Sequence, residues 1–321
     1  MKKKPKIGLA LGAGGARGLV HIGVLKVLHQ NKIYPDYLAG TSMGAVIAAL
    51  YAAGKNPNEI EELAKTTDWK KIVDFTVPKT GLLQGDIIEK HLRKLVENKK
   101  FYQLQTPLQI VAYNLTKNEK VIFSKGDVAK AVRASISIPG IFAPTLIGRD
   151  QYVDGMIADP TPFDVVTEMG ADIVIAVDLY QRDKKVLGQE VRQIPLSKEL
   201  MQKFVADELL NFRNYLFPDF WPKIILKFSH WLFDRLLYPA RIIRIMAGKE
   251  LPEISKVMYQ SLISIANNFA RERIEHANIQ FKIRPTFDHL DWLDFDKVEK
   301  LTEIGEKVMQ KEMPRLKRLL S

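Results

Sequence analysis

Two units, each a strand, a glycine turn and a helix, follow one another at the start of the chain. Residues 6–11 form an apolar stretch that leads through glycines into helical spacing over residues 19–30. Residues 37–39 lead in the same way into a second helical run over residues 45–53, which stops at Gly54. Strands that alternate with helices are typical of an α/β fold, so we expect that class here.

A serine occupies the second turn, in the stretch Gly40-Thr41-Ser42-Met43-Gly44. A serine between two glycines on a strand-to-helix turn is the nucleophile-elbow pattern. The turn leaves little room for side chains two positions before and after the serine. It also lifts the hydroxyl over a helix N-terminus, whose dipole favours developing negative charge. The pattern predicts Ser42 as a nucleophile; the alternative is a turn in which Ser42 only caps a buried helix.

The first turn is a glycine-rich loop that runs from Gly12 to Gly18. One interpretation is a dinucleotide fingerprint, but Arg17 stands where that motif needs its third glycine. A second is an oxyanion hole, in which the N–H groups of Gly14 and Gly15 point into one space at a helix N-terminus. A third is a phosphate nest, which would suit a phospholipid head group.

A serine nucleophile needs a proton acceptor. None of the six histidines follows a clear strand end, and only the histidine at position 289 lies in a loop: His21, His29, His91, His230, His276 and His289. Asp154 is better placed, because it ends a short strand and is followed by Gly155. A carboxylate can act as the base if burial raises its pKa towards the working range. The alternative is an ordinary Asp-Gly turn.

Composition limits the other classes of function. The chain has 321 residues, of which 46% are hydrophobic, and it has no cysteine, so disulfides and thiolate sites are excluded. The basic start is not followed by a long apolar run, and no stretch is long enough to span a bilayer, so we expect neither a signal peptide nor a transmembrane helix. A net charge of +11 suits an anionic partner or simply a solvated lysine-rich surface.

The chain divides into three parts by pattern. Residues 1–180 hold the motifs described above and end in an apolar strand candidate at residues 173–177. Residues 181–250 are first polar and then rich in aromatic residues and arginine, which predicts a helical insertion. Its basic aromatic part, residues 211–249, is a candidate for contact with an anionic membrane; a helical cap or an oligomer interface is the alternative. Residues 136–150, which contain Pro139-Gly140 and Pro144, predict an irregular loop. Residues 251–321 predict helices that complete the core, the last from about residue 296 to residue 311.

The motifs together resemble those of the patatin-like phospholipase family. They are the glycine loop with Gly14, Gly15, Arg17 and Gly18, the elbow around Ser42, and the Asp154-Gly155 pair, in that order. The stretch at residues 134–142 also resembles the family's segment before its catalytic aspartate. The resemblance covers roughly residues 5–180, and the late helix around residues 254–275 resembles the end of bacterial members. Met156 departs from the family pattern, in which alanine or glycine often follows the Asp-Gly pair.

The resemblance implies both a fold and a mechanism. The implied fold is a three-layer α/β/α sandwich around a central, mostly parallel sheet. The implied site is a Ser–Asp dyad without histidine, with Ser42 as nucleophile and Asp154 as proton acceptor. The N–H groups of Gly14 and Gly15 would form the oxyanion hole, with Arg17 in the same motif.

The sequence therefore predicts a serine acyl hydrolase that acts on lipid esters or phospholipids, with no metal and no cofactor. We expect it in the cytoplasm, with peripheral contact at the inner face of the membrane. One alternative is a non-catalytic lipid- or partner-binding protein on the same fold. A nucleotide-binding oxidoreductase is weakened by Arg17, and no motif supports nucleic-acid binding.

Overall fold

The computed structural model describes residues 4–68, 83–180 and 253–320. Within these residues, eight strands follow one another as β1 (Ile7–Leu11), β2 (Tyr37–Thr41), β3 (Leu108–Asn114), β4 (Glu119–Phe123), β5 (Thr145–Ile147), β6 (Asp150–Asp154), β7 (Ile173–Val177) and β8 (Phe281–Ile283). The same residues form eight α-helices, which are α1 (Val20–Gln30), α2 (Met43–Ala52), α3 (Pro57–Thr66), α4 (Asp86–Leu95), α5 (Val128–Ser135), α6 (Phe163–Glu168), α7 (Glu253–His276) and α8 (Val298–Leu320). The predicted insertion at residues 181–250 lies outside the described residues.

The strands form one sheet in the order β5-β6-β3-β2-β1-β7-β8, and β4 also pairs with β3. The five strands from β3 to β8 in this order run parallel, whereas β4 and β6 pair with β3, and β5 pairs with β6, in antiparallel fashion. The glycine loop follows β1 and the elbow follows β2. Because β1 and β2 are parallel neighbours, both turns lie at the same edge of the sheet.

Both faces of the sheet are covered by helices. Along β1, Leu9 and Leu11 pack in a large core with α1, α2, α5 and α8, whereas Ala10 packs on the opposite side with α6 and with Ile274 of α7. This alternation follows from the two-residue period of a strand. The fold is therefore the expected three-layer α/β/α sandwich with a mostly parallel sheet.

Two details differ from the sequence-based expectations. Residues 145–147, expected as part of an irregular loop, form β5, which pairs in antiparallel fashion with β6. The last helix, expected to end near residue 311, continues through Pro314 to Leu320. Proline normally disfavours a helix interior because it removes one backbone donor. Here Met313 and Leu316 are buried on either side of Pro314, and their packing holds the last turns on the core.

Helices α1 and α8 cross at two glycines. A Cβ atom added to Gly23 would lie 2.0 Å from the carbonyl oxygen of Thr302, and one added to Gly305 would lie 2.1 Å from the carbonyl oxygen of Val20. Neither contact can be relieved by rotating a side chain, since the atoms approached belong to backbone. The C-terminal helix therefore lies directly against the backbone of the first.

We expect Gly305→Ala to lower the free energy of unfolding by about 1–3 kcal/mol, because the added methyl group must push the two helices apart. Urea unfolding followed by circular dichroism measures the change. Lys300→Ala, an exposed position on the same helix, is the matched control and should change stability by less than about 0.5 kcal/mol. Equal stability of Gly305→Ala and wild type would contradict this close crossing.

Candidate active site

Strand β3 brings the two predicted catalytic residues together. Thr41 at the end of β2 pairs with Val111, and Asp154 at the end of β6 pairs with the next residue, Ala112. Since β4 pairs with β3 over the same stretch, β2 and β6 must share the other side of β3, end to end. The residue after Thr41 is Ser42, so the sheet register itself places Ser42 beside Asp154.

The side chains of this pair are in direct contact. The hydroxyl of Ser42 donates to Oδ2 of Asp154 at 2.6 Å. Ser42 is 4% exposed and Asp154 is fully buried. The other carboxylate oxygen, Oδ1, accepts from the N–H of Met156 at 2.9 Å. The backbone N–H of Asp154 also donates to the carbonyl of Ser137, so hydrogen bonds fix both the side chain and the backbone of Asp154.

The elbow has the backbone that the sequence predicts. Ser42 has a φ of 54° and a ψ of −124°, an uncommon conformation for a residue other than glycine, and it stands immediately before α2. A Cβ atom on Gly40 would lie 2.6 Å from the backbone of Ala45. One on Gly44 would lie 2.0 Å from the carbonyl oxygen of Leu11. Both elbow glycines are therefore required by close backbone contact, and Gly44 packs the elbow against the end of β1.

Ser135, which the sequence analysis did not assign to the site, supports the nucleophile. Its hydroxyl oxygen accepts the N–H of Ser42 at 2.9 Å and donates its own proton to the carbonyl of Val111 at 2.6 Å. Ser135 is fully buried at the end of α5. The N–H of Ser42 is therefore already engaged and is not a donor for a substrate. The only sequence signal for Ser135 was its place in the segment that resembles the family.

The glycine loop folds into a 3₁₀ helix, Gly15–Leu19, that leads into α1. Among the residues that the structure describes, the N–H groups of Gly14 and Gly15 have no acceptor. The loop lies against the elbow, because a Cβ atom on Gly18 would be 2.3 Å from Cγ of Met43. Two backbone donors without acceptors thus lie in a loop that packs on the nucleophile turn.

The glycine loop is held from outside the motif. The guanidinium of Arg17 donates from Nε and Nη2 to the carbonyl of Leu290, at 3.0 and 2.8 Å, and lies over the rings of Phe287 and Trp292. The N–H of Ala16 donates to the carbonyl of Trp292. Arg17 therefore connects the glycine loop to the segment between β8 and α8, which is a structural contact.

Burial sets the electrostatics of the site. Desolvation raises the pKa of Asp154 to about 7, although the hydrogen bonds from Ser42 and Met156 act in the opposite direction. Burial lowers the pKa of His21 to about 4, so its imidazole is neutral and donates from Nε2 to the carbonyl of Gly12 at 2.8 Å. Among the described residues, the titratable group in contact with Ser42 is thus a carboxyl whose pKa lies near neutral pH.

No described histidine stands between the serine and the aspartate, because the two side chains bond directly. His289, the loop candidate, is exposed, and His230 lies outside the described residues. In the described ranges no cluster of three or more histidine or acidic side chains could hold a metal ion. In the same ranges no helix is both long and apolar enough to cross a membrane.

Met156, the departure from the family pattern, is buried beside the base. It packs with Ala13, Tyr180 and Trp292 in a small apolar cluster. The backbone N–H of Met156 donates to Asp154, as described above, and any residue except proline could supply this donor. The larger side chain therefore fills space between the glycine loop and the turn after β6 without displacing the carboxylate.

The fold and the site together define an α/β protein with a serine on a nucleophile elbow. The sequence matches the family model described as patatin-like phospholipase over residues 9–167. By this match, residues 9–167 belong to the patatin-like phospholipase family.

Known proteins resemble part of the chain. It is 36% identical over 178 residues to an uncharacterised NTE family protein of Mycobacterium tuberculosis, covering 54% of this chain and 49% of that protein. It is 31% identical over 192 residues to human patatin-like phospholipase domain-containing protein 6, covering 57% of this chain and 14% of that protein. The chain thus spans about half or less of these relatives.

A solved structure shares the fold. The crystal structure of VipD from Legionella pneumophila superposes with a TM-score of 0.53 at 15% identity, covering 96% of this chain and 66% of that one. At this identity the likeness concerns the fold.

We expect Asp154→Asn to become more stable relative to wild type as pH rises. The pKa of about 7 in the folded protein lies above the ordinary value of 3.8 for aspartate, so between about pH 4 and pH 7 only the native state keeps this proton. Wild-type stability therefore falls across that window, whereas asparagine does not titrate. Urea unfolding of both proteins at several pH values measures the difference, which should grow up to about pH 7 and then stay constant.

Asp150→Asn is the matched control, on the same strand. Lys117 lowers the pKa of Asp150 below its ordinary value of 3.8, so this variant loses stability relative to wild type only as pH rises towards about 4, and its difference from wild type should stay constant between about pH 4 and pH 7. A pH-independent difference between Asp154→Asn and wild type would contradict the raised pKa.

Proposed function

We propose that the protein is a serine acyl hydrolase that cleaves lipid esters through an acyl-enzyme formed on Ser42. The observation that carries the proposal is the 2.6 Å hydrogen bond from the Ser42 hydroxyl to a buried carboxylate, on a strained elbow. Membership of the patatin-like phospholipase family supports the lipid substrate class. The names of the relatives add no head group, acyl length or regiochemistry.

The first half of the reaction uses Asp154 as a base. As Oγ of Ser42 attacks the acyl carbonyl carbon, its proton passes to Oδ2 of Asp154. The tetrahedral intermediate then collapses, and the leaving alcohol takes that proton from Asp154. A carboxyl with a pKa near 7 suits both steps, because it can accept and return a proton at neutral pH.

The second half regenerates the serine. Water enters in place of the alcohol, gives a proton to Asp154, and attacks the acyl-enzyme. Collapse of this second intermediate breaks the Ser42 ester bond, releases the fatty acid and returns the proton to Oγ. The chemistry needs no metal, since a base and an oxyanion site are sufficient.

The oxyanion site is assigned to the glycine loop. The N–H groups of Gly14 and Gly15 have no acceptor among the described residues, and the loop packs on the elbow. The N–H of Ser42 is bonded to Ser135, which removes the nucleophile's own amide as a donor. Loss of one such donor typically costs about 3 kcal/mol of transition-state stabilisation. The N-terminus of α2 adds a favourable dipole at the same place.

Contact with an anionic membrane through residues 211–249 remains a prediction from the sequence, since that segment lies outside the described residues. The alternative function, a non-catalytic lipid- or partner-binding protein, would keep the same fold without turnover.

The test is labelling by a fluorophosphonate probe in the presence of EDTA, followed by measurement of fatty-acid release from mixed lipid vesicles. Wild type should label, and Ser42→Ala should not. Asp154→Asn should label about 10²–10⁴-fold more slowly, because the base is lost while the serine remains. Fatty-acid release should fall in the same order.

Two variants serve as controls. Ser124→Ala removes an exposed serine and His289→Ala removes the exposed loop histidine; both should label like wild type. An absence of labelling in folded wild type would favour the binding protein over the hydrolase. Loss of labelling in His289→Ala would contradict a dyad without histidine.

A further inference from the structure

Four charged side chains, three on different elements and one in a turn, meet near the turn that follows Asp154. Lys120 of β4 lies 3.2 Å from Asp159 and 3.1 Å from Asp164 of α6. Arg273 of α7 contacts the same two carboxylates, with Nη1 on Asp159 and Nη2 on Asp164 at 2.9 Å. We call these residues the four-charge cluster; its two cations and two anions balance.

The backbone of Asp159 connects both halves of the dyad. Its carbonyl accepts the hydroxyl of Thr41, the residue before the nucleophile, at 2.8 Å. Its N–H donates to the carbonyl of Gly155, the residue after the base, at 2.8 Å. Thr41 and Asp159 are both fully buried. A displacement of Asp159 would therefore shift both the elbow and the turn that holds Asp154.

The side chain of Asp159 needs its cationic partners. Burial and the neighbouring Asp164 raise the pKa of Asp159 to about 6, and Arg273 and Lys120 oppose that rise. An ionised carboxylate in such a place is costly unless cations compensate it. Removal of one cation would leave the cluster with excess negative charge, which favours movement of Asp159 or uptake of a proton.

Arg273 is the better fixed of the two cations. Its guanidinium lies over the rings of Phe163 and Phe269, at 5.0 and 5.5 Å from their centroids. Its side chain is 20% exposed, compared with 33% for Lys120. A planar guanidinium that contacts two carboxylates holds them at a fixed separation, which an ammonium does less well.

We propose that Arg273 is a positioning residue for the Ser42–Asp154 dyad and acts on it through Asp159. Helix α7 thereby sets the geometry of a site to which it contributes no reacting group. The catalytic consequence rests on the proposed function, whereas the effect on the backbone of residues 155–159 does not.

Hydrogen exchange measured by mass spectrometry tests the backbone effect without activity. In Arg273→Gln the amides of residues 155–159 should exchange at least about tenfold faster than in wild type, since they depend on Asp159 staying in place. Arg273→Lys should restore part of the protection. Arg93→Gln is the matched control, because Arg93 also bridges two carboxylates, Glu89 and Asp127, on other elements. It should leave exchange in residues 155–159 unchanged.

Steady-state kinetics on a short-chain, water-soluble ester test the catalytic effect. For Arg273→Gln we expect kcat to fall at least tenfold while KM stays within twofold, because the dyad is misplaced but no substrate contact is lost. Arg273→Lys should recover part of kcat, and Arg93→Gln should remain within twofold of wild type. The double variant Asp159→Asn with Arg273→Gln should lose about as much as either single variant, because the two residues act as one unit.

The outcomes separate this inference from the proposed function. If wild type hydrolyses the ester and Arg273→Gln keeps both kcat and amide protection, the positioning role is wrong and the hydrolase stands. If wild type shows no hydrolysis, the proposed function fails and the exchange data alone decide whether Arg273 holds the turn. If Arg273→Gln does not fold, Asp159→Asn takes its place, with the same expected increase in exchange and fall in kcat. Unchanged exchange in that variant would overturn the inference.

Discussion

The arrangement of the site depends on one feature of the sheet, the way β2 and β6 share a single side of β3. Val111 pairs with the residue before the nucleophile, and Ala112 pairs with the base itself. The ends of β2 and β6, which are far apart in sequence, thus pair with adjacent residues of β3. The hydroxyl and the carboxylate meet without any intervening group. The glycine loop after β1 joins them because β1 and β2 are parallel neighbours, which puts both turns at one edge of the sheet.

Burial of this contact determines its electrostatics. A carboxylate that replaces histidine must be basic enough to accept a proton, and here complete burial raises its pKa to about 7. Burial in turn requires that nearby polar groups be satisfied from within the protein. Ser135 engages the amide of the nucleophile, Met156 and Ser137 fix the base, and Arg17 and His21 hold the glycine loop. These contacts keep the side chains of Ser42 and Asp154 buried and aligned.

The sequence alone predicted the strand–turn–helix units and named Ser42 and Asp154 as candidate catalytic residues, because periodicity and glycine placement are local signals. It could not show that Ser135 bonds to the nucleophile, since a serine in a helix has no pattern that marks such a contact. The continuation of α8 past Pro314 and the pairing of residues 145–147 also arise from tertiary packing, which overrides local preference. Arg273 and Asp159 are 114 positions apart in the sequence, so no local pattern predicts the contact between their side chains.

We propose that the buried carboxyl in contact with Ser42 titrates near neutral pH and serves as its base. This is tested by a pH titration of the Asp154 side-chain carboxyl by NMR, in protein labelled with ¹³C in its aspartates. The resonance is assigned by its absence in Asp154→Asn. The midpoint should lie near pH 7. A midpoint near pH 4, the ordinary value for aspartate, would show an exposed or differently bonded carboxyl and would contradict it.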